Sequence, residues 1–95
     1  MQVQILFKKD DENDLEKVAR IAKIIQDISL ELDMRTEIEL TNDFRAFSHL
    51  ATNFSVTPIV ILNNHVEFIG SVPQPEKVRE KLKAYQAGRD SSLME

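Results

Sequence analysis

The longest unbroken apolar run in the chain, Ile59-Val60-Ile61-Leu62, constrains its fold more than any other feature. Successive side chains of an extended strand point to opposite faces, so four consecutive apolar residues place two on each side. Such a strand is stable only where both faces are covered, and the run is predicted to lie at the centre of a sheet. Asn63-Asn64 follows it. Asn tolerates the positive φ that a two-residue hairpin demands, and Val66 and Phe68 alternate with His65 and Glu67 beyond the turn. The segment from Ile59 to Phe68 therefore reads as a β-hairpin whose first strand is buried on both sides.

The rest of the chain supplies the covering material. Val3, Ile5 and Phe7 alternate with Gln2, Gln4, Leu6 and Lys8, which predicts a first strand ending near Lys8. From Asp14 the residues Leu15, Val18, Ala19, Ala22, Ile25 and Leu32 recur at helical spacing, and Asn13 with Glu16 reads as a capping box. Thr36, Ile38 and Leu40 then alternate with Glu37 and Glu39, a strand with one charged face that suits a sheet edge. Asp43 is placed to cap a second helix whose core face is Phe44, Phe47, Leu50, Ala51 and Phe54. Pro75 fits the first turn of a last helix, with Val78, Leu82 and Tyr85 following at spacings of four and three. The predicted order is β-α-β-α-β-β-α. One α/β domain over residues 1–86 accounts for it, and 87–95, where Gly88, Asp90, Ser91 and Ser92 gather, reads as a flexible tail.

Composition narrows the function classes. Ninety-five residues hold one core. Sixteen acidic residues against twelve basic ones give a net charge of −4, a field that repels phosphate backbones, so nucleic acid is not an expected partner. No apolar stretch approaches the ~20 residues of a membrane-spanning helix, and the N-terminus lacks the pattern of an export signal. A soluble, cytoplasmic chain is expected. The chain contains no cysteine, which excludes disulfides, thiolate nucleophiles and thiolate metal sites together.

The element order, with Thr57-Pro58 immediately before the central strand, resembles the thioredoxin fold and its small glutaredoxin-sized members. The stretch from Phe54 to Gly70 looks like the segment that carries that family's proline loop and terminal hairpin. The resemblance implies a mixed four-stranded sheet with helices on both faces and a cis bond before Pro58. It also implies a loop at Thr57 that helps hold a partner polypeptide. Members active in thiol chemistry carry Cys-x-x-Cys between the first strand and helix. Here the junction reads Lys8-Lys9-Asp10-Asp11-Glu12-Asn13-Asp14, with the cysteine positions falling near Asp10 and Asn13. Neither a carboxylate nor a carboxamide exchanges with a disulfide, so the family's oxidoreductase activity does not transfer to this chain.

Three features compete for a functional role. The acids Asp10, Asp11, Glu12, Asp14 and Glu16 suit the positive end of a helix dipole, and that alone accounts for their enrichment. A divalent-cation site or an enzyme using these carboxylates is the sharper alternative, although the ligand spacing and turn glycine of a calcium loop are missing. His49 and His65 have no serine or carboxylate placed to form a nucleophilic site and read as surface residues. The first helix carries additional apolar residues, Ile21, Ile24 and Ile28, for which the last helix is the natural cover and a homodimer the alternative. The reading that results is a redox-inactive protein-binding adaptor or complex subunit, with no cofactor and no metal. Its expected binding residues are Thr57, Pro58, Asp10, Asp11 and Asn13, around a groove between the acidic junction and the proline loop. A self-associating structural domain is the remaining alternative.

Overall fold

The computed structural model describes residues 1–50 and 55–94, with 88–94 described by their backbone alone. Its elements are β1 (Gln2–Leu6), α1 (Glu12–Glu31), β2 (Glu37–Thr41), a 3₁₀ turn (Phe44–Phe47), β3 (Ile59–Leu62), β4 (His65–Ile69) and α2 (Pro75–Met94). The strands form one mixed sheet in the order β2-β1-β3-β4. β2 runs parallel to β1, while β3 is antiparallel to both β1 and β4. All four residues of β3 are buried, and β2 forms an edge, as the alternation patterns require.

The period of two divides the core. Val60 and Leu62 join Val3 and Ile5 on the face packed by Val18, Ile21, Ile25 and Ile28 of α1 and by Val78 and Leu82 of α2. Ile59 and Ile61 join Leu6 on the opposite face, where Phe47 is buried and Phe44, Leu50 and Val66 pack at the margin. Full burial of a side chain of this size contributes about 1.5–3 kcal/mol, so both faces of β3 are strong determinants of the fold. The extra isoleucines of α1 are covered by α2. Ile21 and Ile28 are buried, and Ile24 and Tyr85 are partly buried against the same cluster. At the far end of this contact Arg79 grips Glu31 with two hydrogen bonds, of 2.6 and 3.0 Å. The bond from Arg79 holds the Glu31 carboxyl below its ordinary range.

Four local expectations are corrected: the cap of α1, the place of Leu15, the second helix and its cap. The cap of α1 is Asp11, not Asn13: its Oδ1 accepts from the backbone N–H groups of Asn13 and Asp14, and the helix starts at Glu12. Asp14 is in register with the buried Val18, Ile21, Ile25 and Ile28, while Asn13 is exposed. Leu15, one residue past Asp14, lies off that face and is 46% exposed. The second helix is a single 3₁₀ turn among the described residues, and Ala51 and Phe54 lie outside them. Asp43 makes no side-chain cap there; its N–H instead donates to Thr41 Oγ1. Among the described residues this side of the sheet buries Leu6, Phe47, Ile59 and Ile61, fewer than the side packed by α1 and α2. At the C-terminus the helical backbone continues to Met94, while the side chains of the segment read as a tail lie outside the described residues from 88 onward.

The hairpin turn also anchors the start of β1. Asn63 and Asn64 have φ values of 47° and 71°, and the Asn63 side-chain oxygen accepts from Gln2 N–H while its own N–H donates to Gln2 O, both at 2.9 Å. Asn64→Gly is expected to keep or raise stability, and Asn64→Val to lower it by about 1–2 kcal/mol, because a β-branched residue resists the left-handed region. Denaturant midpoints of the two variants check this.

α2 and β4 meet at Tyr85, the chain's single tyrosine, whose hydroxyl donates to Glu67 Oε2 at 3.2 Å. Desolvation, reinforced by the Glu67 charge and hydrogen bond, pushes this phenol up to about 12. Since the folded pKa is raised, the contribution to stability is complete below the ordinary tyrosine pKa of about 10 and is lost as pH rises through the folded value. Phenolate absorbance of the native chain should therefore titrate near the raised value and revert toward the ordinary one in denaturant.

Candidate functional site

The strand-helix junction is built around a buried carboxylate. α1 begins just after β1 ends, and Asp14 stands four residues before Val18 and seven before Ile21, on the face that α1 turns to the sheet. Asp14 is 3% exposed. A carboxylate at such a position is stable only when its oxygens are hydrogen-bonded. Its Oδ2 accepts from the Lys8 N–H at 2.9 Å, a donor left without a ladder partner where β1 stops, and from the hydroxyl of Thr57. The acid thus ties the end of the first strand to the loop that leads into the central one.

Two lysines reinforce this tie. Lys8 Nζ donates to the backbone oxygen of Ser55 at 3.1 Å, and Lys17 Nζ, one turn along α1 from Asp14, reaches the Gly70 oxygen at 3.4 Å. Gly70 N–H donates to Pro58 O at 2.8 Å and so closes the end of the hairpin onto the proline loop. The Thr57-Pro58 peptide bond is cis, Pro58 is fully buried and Thr57 is half-buried. Val56 and Ile69 beside them are each about half exposed, at 47% and 46%.

The expected site residues fall into two groups. Thr57 is tied to the junction by its hydrogen bond to Asp14, and the buried Pro58 follows it. An open cleft of about 720 Å³ is lined by Asp10, Asp11 and Asn13 together with Phe7, Asn42 and Phe44, and neither Thr57 nor Pro58 is part of its lining. Asp10 and Asn13 are exposed, and Asp11 is committed to capping the helix. Asp11 and Asp14 being engaged, the acidic run does not assemble as a ligand set, and among the described residues no three acidic or histidine side chains converge to hold a metal ion. His49 lies near Phe47 and His65 near Tyr85, with ring centroids 6.5 and 6.4 Å apart.

Motif reasoning groups Asp14 with the carboxylates favoured by the helix dipole and assigns it no role of its own. The signal that distinguishes it is its spacing from Val18 and Ile21: an acid in register with the apolar face must be buried and must find donors.

A family model described as a thioredoxin domain matches residues 16–83. The match covers most of α1, the strands β2 to β4 and the proline loop, and begins after the junction. No curated protein and no solved structure gives a significant match.

Gly70 has a φ of 84°, and a Cβ placed there would lie 2.9 Å from Val56 Cγ1. Gly70→Ala is expected to cost about 1–2 kcal/mol from the left-handed backbone alone, with the contact in addition. Chemical denaturation of Gly70→Ala with and without Val56→Ala separates the two: removing the Val56 methyls restores the contact part and leaves the backbone part.

Proposed function

We propose that this chain, which belongs to the thioredoxin-domain family and carries no cysteine, acts as a redox-inactive protein-binding adaptor or complex subunit. Without a sulfur nucleophile it performs no disulfide exchange, so the capacity left to the scaffold is recognition. The observation that carries this reading is the backbone of Thr57. Its N–H and C=O make no backbone hydrogen bond among the described residues, in a loop otherwise tied at Ser55, Pro58 and Gly70. An extended segment of another protein satisfies such groups by strand addition, with side-chain contacts to the half-exposed Val56 and Ile69 on either side. The exposed acids Asp10 and Glu12 near the same end of the molecule favour a partner segment with basic residues.

The residues assigned to binding are Thr57 and Pro58 as the docking loop and Asp10, Asp11 and Asn13 as its flank, with Asp11 also holding the helix end. Among the described residues no helix is long and apolar enough to cross a membrane, and action in the cytoplasm is part of the proposal.

Tagged chain purified from its native lysate should retain a protein at a fixed stoichiometry. Val56→Arg, which obstructs the loop at an exposed position, and Asp10→Lys, which reverses charge without touching the helix cap, should each weaken that complex by about tenfold or more, equivalent to about 1.4 kcal/mol. Unchanged affinity in both variants, or no retained protein, would overturn the reading.

A further inference from the structure

We propose that Asp14 is the positioning residue of the docking loop: its buried carboxylate holds Thr57 by the hydroxyl and thereby presets the direction of the Thr57 backbone. The inference rests on the docking role assigned to the loop. It starts from an asymmetry in how that loop is held. The ties at Ser55, Pro58 and Gly70 all use backbone atoms of the loop and of the hairpin end. Thr57 itself is held through its side chain, by the hydrogen bond to Asp14 Oδ2.

That one bond determines more than the hydroxyl position. Threonine is branched at Cβ and stiff at χ1, so fixing Oγ1 fixes the orientation of the Cα–Cβ bond and with it the adjoining peptide groups. The acceptor is itself rigid. Asp14 lies in the first turn of α1, is 3% exposed, and accepts from the Lys8 N–H with the same oxygen. An ionised acceptor makes these bonds stronger than neutral ones, and exclusion of water keeps solvent from replacing the hydroxyl. The end of β1, the start of α1 and the proline loop thereby share a single oxygen atom. Loss of the carboxylate frees Thr57 to rotate and makes an incoming strand supply the ordering entropy that Asp14 otherwise removes in advance.

The test is hydrogen exchange of the Gly70 amide, which donates to Pro58 O and reports opening of the loop, against the amides of β1 and β3 as internal controls. Thr57→Val, which loses one charge-assisted hydrogen bond, should accelerate Gly70 exchange by about tenfold or more with the control amides unchanged, and Asp14→Ala, which also frees the Lys8 N–H, should accelerate it at least as much with the β3 amides unchanged. The double variant should exceed Asp14→Ala by less than about twofold, because the bond that Thr57→Val removes is already lost there. Thr57→Ser, which keeps the hydroxyl, should remain close to wild type, and Asp14→Asn, which keeps an acceptor oxygen without the charge, should fall between wild type and Asp14→Ala. Thr57→Val introduces no buried charge and retains shape, so it decides the matter even where Asp14→Ala folds poorly. Wild-type exchange at Gly70 in Thr57→Val, or equal acceleration at all amides, would overturn the positioning role. Affinity for the co-purifying protein separates this from the docking reading. A loosened loop with weaker binding supports both, whereas a loosened loop with undiminished binding leaves Asp14 as the positioning residue and removes docking at Thr57.

Discussion

β3 has no face to offer solvent. Its four side chains are buried, two on each side, so the chain must provide one cover on each side of the same strand. The two covers are unequal. α1 and α2 lie together on one side and enclose most of the core, while the other side is served by Leu6, Phe47 and the residues around them. β1 and β4 must flank β3 to satisfy its backbone, which leaves β2 at the edge beside β1. Once β3 is central, little freedom remains in the arrangement of the other strands.

The loop entering β3 inherits this constraint. Pro58 is buried because the strand it precedes is buried, and Thr57 is brought within reach of the junction where β1 gives way to α1. In the thioredoxin-like proteins that carry out thiol chemistry, sulfur occupies that junction. Here oxygen and nitrogen do: a carboxylate accepts a hydroxyl and a backbone amide, and two ammonium groups reach backbone carbonyls. Each interaction is local and modest, but together they join β1, α1, the proline loop and the end of β4. The helix N-terminus, which in a thiol enzyme stabilises a thiolate, is occupied by the side chain of Asp11.

Much of this was legible in the sequence because the signals are periodic. The four apolar residues of β3, the paired asparagines of the turn, the alternating charges of β2 and the isoleucine stripe of α1 each specify a position without reference to the others. What escaped were features decided by competition between neighbours. Asn13 and Asp11 both suit a helix cap, and the choice depends on which start buries Asp14 with donors at hand. The aromatic segment after Asp43 has helical spacing, yet among the described residues it forms a 3₁₀ turn over Phe44–Phe47. Of the candidate site, the place of Thr57 and Pro58 before a buried strand is legible in the sequence. The hydrogen bond from Thr57 to Asp14 is not, since it depends on how two distant segments meet.

The shared Asp14 oxygen carries a consequence for where such a molecule can operate. A dithiol centre has two shapes, one on each side of its midpoint potential, and its surroundings select between them. A carboxylate accepting a hydroxyl has no electrons to exchange with glutathione or peroxide. The surface around Thr57 is held in one form whether the solution is reducing or oxidising, so a partner docked there would neither sense nor be released by an oxidative burst.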